Sequence, residues 1–194
     1  MRHVLRPRGS REQGFSLIEI SVVAAILLIV AVIGVPAIEA YVVESRVPKL
    51  AEALQRFVVR ARIAGMGGPA PYAGMNTAFL AEAMRESGVL SVSGQGAAAT
   101  VRHGLGEGGI TLASGARPGE AAGSAFTLTL DRVHAAACPG LAAAMQGLAS
   151  RVSVQGKGAA VLVKNADASP MLAYDGSRAS AQCAARNTFV FTFP

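Results

Sequence analysis

The chain has no tryptophan, only two cysteines among 194 residues and only three histidines. Cys138 and Cys183 show neither CxxC spacing nor neighbouring clustered histidines, which removes a zinc site from consideration. HExxH and GxSxG are absent, and His103 and His134 stand alone on surface-type stretches where a solvated ring is the default expectation. No lysine- and arginine-rich run with interleaved aromatics occurs, so the pI of 10.0 argues only weakly for nucleic-acid binding. Much of the net charge of +6 sits at the N terminus, and after Gly14 there are 14 basic against 11 acidic residues. Gly104-Leu105-Gly106-Glu107-Gly108-Gly109 matches GxGxxG. Ile110-Thr111-Leu112 behind it reads as a strand where a dinucleotide fold needs a helix, so a glycine-rich hairpin loop is expected. Glu82 and Glu86 with Arg85 read as an ordinary polar helix face. No enzyme, cofactor, metal or specific small-molecule ligand follows from these residues.

What the chain does have is one long apolar run. From Ile20 to Ile38 only Ser21 is polar, and at about 1.5 Å per helical residue the stretch approaches the ~30 Å of a bilayer core. Glu19 stands at its entrance, where a carboxylate costs about 2.5 to 3.5 kcal/mol or more and needs a partner or a function. Arg2, Arg6, Arg8 and Arg11 precede it against a single Glu12, a basic flank that stays cytoplasmic and sends the rest of the chain outward. Gly14-Phe15-Ser16-Leu17-Ile18-Glu19 resembles the processing site of a type IV prepilin. The resemblance implies that a prepilin peptidase cuts between Gly14 and Phe15 and that the new amine of Phe15 is methylated. Pro36, 21 positions past Phe15, and Tyr41 after it also resemble the pilin helix. A secretory signal peptide cleaved near Val35-Pro36-Ala37 is one alternative, but it gives Glu19 no role. A non-cleaved anchor is the other.

Past the span the helical pattern continues. Val43, Val47, Leu50, Leu54, Phe57 and Ala61 recur at steps of four and three, while Glu52, Arg56 and Arg60 line another face. Pro36 and Pro48 each remove a backbone donor, so a bend or local melting is expected near both. Gly65-Met66-Gly67-Gly68-Pro69-Ala70-Pro71 ends the helix. Asn76 or Thr77 is a candidate cap for a short second helix ended by Gly88. Strands are expected at Ser124 to Leu130 and Thr188 to Phe193, with weaker signals at Ile110 to Leu112, Arg151 to Val154 and Ala159 to Val163. Ala135 to Ala149 reads as a helix with Cys138 near its start and Pro139 in its first turn. In an oxidising exported region a Cys138 to Cys183 bridge is the economical reading, and two separate buried thiols are the alternative.

The expected class is α+β: a long N-terminal helix, half membrane-spanning and half amphipathic, packed on a mainly antiparallel sheet with a disulfide-bonded C-terminal region. The resemblance implies the type IV pilin fold, and the layout looks like the type IVb branch, which includes thin-pilus pilins. Three parts are expected: residues 1–14 as leader, 15–40 as transmembrane and assembly helix, and 41–194 as exported globular domain. The function so implied is a structural subunit of a type IV pilus serving adhesion, aggregation, motility or DNA transfer. A minor pilin or type II secretion pseudopilin is the alternative. Partners would be further copies of the subunit, the prepilin peptidase and an inner-membrane assembly platform. The precursor would reside in the inner membrane before joining an extracellular pilus. In a packed array of parallel helices, Glu19 of one subunit would pair with the Phe15 amine of the next.

Overall fold

The computed structural model describes residues 14–65, 68 and 70–194. The expected leader, up to residue 13, and Met66, Gly67 and Pro69 of the helix-ending run lie outside the described residues. Internal contacts divide the chain into two units at Ile38 and Glu39. A single helix, α1 (Leu17–Ala64), runs through that division without interruption. Neither Pro36 nor Pro48 melts it: both prolines lie on exposed positions, where the carbonyl left without a donor is not sealed inside this chain. The N-terminal unit is the apolar half of α1, whose side chains are exposed from Leu17 to Ile38 apart from the half-buried Gly34.

The second unit is built on a seven-stranded, wholly antiparallel sheet. Its strands are β1 (Ser91–Ser93), β2 (Thr100–Arg102), β3 (Gly109–Gly115), β4 (Ala125–His134), β5 (Arg151–Gln155), β6 (Val161–Asn165) and β7 (Arg186–Phe193), in the order β1-β2-β3-β4-β7-β5-β6. The terminal strand is therefore inserted at the centre, between β4 and β5. Alternation explains why: Phe189, Phe191 and Phe193 are fully buried on one face of β7 and pair in register with Leu130, Leu128 and Phe126 of β4. Each such ring stabilises by about 1.5 to 3 kcal/mol through burial alone, which favours a central strand over an edge.

Among the described residues, three further α-helices accompany the sheet in this unit: α2 (Thr77–Met84), α3 (Cys138–Met145) and α4 (Gly176–Gln182). Together with the stripe Val43, Val47, Leu50, Leu54, Phe57 and Ala61 of α1, they close one hydrophobic core over the sheet's apolar face. The Phe57 ring meets Phe126 edge-on at 6.5 Å, and Phe126 stacks on Phe193 at 5.1 Å, so helix and sheet share one aromatic cluster. Polar side chains of α1 fix its seat. Gln55 donates to the Ala144 carbonyl at 2.7 Å, and Arg62 donates to Leu148 at 2.7 Å and to Pro194 at 3.1 Å. The start of α2 is fixed by Asn76, whose Oδ1 accepts from the Phe79 amide at 3.0 Å.

The expectation of a solvated His103 is overturned. His103 is not solvated but 2% exposed, beneath the turn that follows β2. Its Nδ1 accepts from the Leu105 amide at 2.9 Å and its Nε2 lies 2.8 Å from the Asp131 carbonyl. Both ring nitrogens are thus occupied by backbone groups, which is what makes burial of the imidazole tolerable.

Candidate assembly segment and its supporting domain

Gly14 precedes α1, and a Cβ built there would touch no atom of the described chain. The fold itself therefore sets no steric demand for glycine at this position. Phe15 follows, a residue 77% exposed. The helix opens with the Ser16 carbonyl accepting from the amides of Glu19 at 3.0 Å and Ile20 at 3.2 Å. Glu19 occupies the first turn, where the unpaired amides at a helix start favour a negative charge. Among the described residues no cation lies within ion-pair reach of its carboxylate. Ser21, the other polar group of the run, returns its hydroxyl to the Ile18 carbonyl at 2.8 Å and so satisfies itself within the helix. From Leu17 onward α1 is long and apolar enough to cross a membrane.

In the second unit Cys138 and Cys183 form a disulfide, with their Cα atoms 5.9 Å apart. Cys138 opens α3 with Pro139 behind it, and Cys183 caps the end of α4. Sequence reading missed the devices that hold the Cys183 end. Asp175 caps α4 by accepting from the Arg178 amide at 3.0 Å and the Ser177 hydroxyl at 2.6 Å. These two hydrogen bonds, the Ser177 hydroxyl first, hold the Asp175 carboxyl below its ordinary pKa. The buried Asn187 accepts from Ala184 at 2.8 Å and donates to Ala184 and Val133 at 2.8 and 3.1 Å. An Asp-Gly-Ser step before a short Ala-containing run was the available signal for the cap. Nothing local announces the role of Asn187, because its partner Val133 is 54 positions away.

A family model described as PilS N terminal matches residues 71–194, well over half of the chain. The chain belongs to that family. A second model, described as the prokaryotic N-terminal methylation motif, matches residues 9–35 and so covers Gly14, Phe15 and Glu19. With both ends so matched, this PilS-family chain is a type IV pilin by family. Among solved structures it is similar to a type IV b pilin from Salmonella typhi, at 24% identity over 76% of this chain and 95% of that chain, with a TM-score of 0.49. It is also similar to TcpA, a type IV pilin from the El Tor biotype of Vibrio cholerae, at 15% identity over 78% and 99% of the two chains, with a TM-score of 0.48. No curated protein sequence matches the chain.

Proposed function

We propose that this protein is a subunit of a type IVb pilus, synthesised as a prepilin, cut between Gly14 and Phe15, methylated at the Phe15 amine and polymerised into a surface filament. The observation that carries the reading is the motif Gly14 to Glu19 opening an apolar helix in which Glu19 finds no cation among the described residues. A carboxylate in that position is costly alone and useful when a neighbouring subunit brings an amine. The type IVb assignment is supported by the PilS family match, the disulfide near the carboxyl end and the central Phe-rich β7. Residues 1–14 serve as the leader, 15–40 as the span and assembly helix, and 41–194 as the exported domain. The basic leader stays cytoplasmic before cleavage.

Processing gives the test. A mature N terminus at Phe15, heavier by one methyl group, is the expected result of N-terminal mass spectrometry. Replacing Gly14 by valine should leave full-length precursor in the inner membrane, because the open space at Gly14 serves an approaching peptidase and not this fold. A mature chain starting at Ile38, or normal processing of Gly14→Val, would refute the reading.

A further inference from the structure

The glycine motif Gly104 to Gly109 has a structural task. Between β4 and β7 the register shifts at Leu130 to Val133, and Arg132 within that bulge has φ 47°, the one non-glycine residue with positive φ among the described residues. Such a conformation is strained and persists only where its surroundings enforce it. Here they do so from several sides. A Cβ at Gly106 would collide with the Arg132 carbonyl, and one at Gly108 with the Asp131 carbonyl. The Gly109 amide donates to Asp131 Oδ1 at 2.5 Å, and buried His103 holds the Asp131 carbonyl. The loop is thus cut to the bulge, and the bulge places Arg132 on the solvent side of the sheet.

What Arg132 faces there is a groove of about 530 Å³ across β2, β3 and β4. Arg102 and Arg132 stand over it, Thr111 and Thr129 pair across its floor, and Asp131 and Glu107 supply carboxylates. Gly109 sits opposite Arg102 in the ladder, so no side chain fills the space between that arginine and Asp131. Each guanidinium keeps free donors: Arg102 uses one nitrogen on the Glu107 carbonyl at 2.9 Å, and Arg132 uses one on Asp131 at 3.2 Å. Two guanidinium groups suit an anionic carboxylate. Threonine hydroxyls and the remaining carboxylate lone pairs suit neutral hydroxyls. We propose that this groove binds an acidic saccharide, with its carboxylate on Arg102 and Arg132 and its hydroxyls on Thr111, Thr129 and Asp131. Among the described residues no aromatic ring lines the groove to stack a sugar face, so a single site is weak, and repetition along a filament would raise the avidity.

Binding is read on the unassembled full-length chain in detergent, so it stands or falls separately from filament formation. Saturation-transfer-difference NMR with glucuronic acid should give strong transfer, and glucose should give at least tenfold less. Arg132→Gly tolerates the positive φ while deleting the guanidinium, and should lower the glucuronic acid signal at least tenfold with an unchanged melting midpoint. Arg102→Gln provides the same loss without touching the bulge. Inorganic phosphate at equal concentration should not displace the sugar. Absence of transfer from glucuronic acid, equal transfer in both folded variants, or full displacement by phosphate would each overturn the saccharide site.

Discussion

At the scale of single residues, His103 shows how a long-range contact inverts a local reading. Its sequence neighbours are Arg102 and Gly104, which suggest a surface, yet it is buried because the Asp131 carbonyl, 28 positions away, occupies Nε2. With Nδ1 accepting from Leu105, the proton sits on Nε2 and the ring is neutral. Burial pushes its pKa below the ordinary 6.5; Asp131 opposes the shift, and Arg102 and Arg132 reinforce it. The native state therefore resists a proton that the unfolded chain accepts readily. The resulting stability is complete above about pH 6.5 and is lost as pH falls from there toward the lower native pKa. Asp175 acts in the same direction, but its depressed carboxyl matters only below its ordinary 3.8. Denaturant unfolding between pH 7.5 and 5 should thus show falling stability in the wild type and a shallower slope in His103→Gln. Identical slopes would remove His103 from the acid response.

At the scale of elements, legibility followed the amount of pattern each segment carries. The stripe of α1 from Val43 to Ala61 and the alternations of β4 and β7 declare themselves, because one face of each is apolar over many residues. β1 and β2 have three residues each, too few for a period, and exist because β3 offers β2 a partner. α4 is harder still: Gly-Ser-Arg-Ala-Ser-Ala-Gln dilutes good helix formers with a glycine and two serines, and seven residues carry no apolar stripe. Its order comes from the Asp175 cap and the Cys138–Cys183 bridge to α3. A bridge across 45 positions contributes roughly 3 to 5 kcal/mol in the chain-entropy picture. Cys183→Ser should lower the stability of the second unit by that order, and hydrogen exchange should show α4 losing protection before β7 does. Unchanged unfolding midpoints, together with protected α4 amides, would show that the cap and core suffice without the bridge.

At the scale of the whole molecule, the question is what a subunit gains from a carboxylate in an otherwise apolar helix. Family membership was readable from six residues, whereas the second unit offers no motif of similar specificity, so the proposed assembly chemistry is argued from Glu19. The proposed head-to-tail contact between the Phe15 amine of one copy and Glu19 of the next uses two different patches, and such a contact builds a filament when successive copies do not close into a ring. Glu19→Ala removes a charge from the apolar half of α1, so membrane insertion, the proposed cleavage at Gly14 and folding of the second unit should remain intact or improve. Polymerisation should nevertheless fail, because the incoming amine would be buried without a counter-charge, at about 3 to 5 kcal/mol per contact. That penalty recurs at every added subunit, while the apolar packing it competes with is unchanged by the substitution. Electron microscopy of cells making processed Glu19→Ala protein decides the matter: cells without filaments but with normal amounts of mature subunit are expected, and abundant pili would show that the carboxylate does not direct assembly.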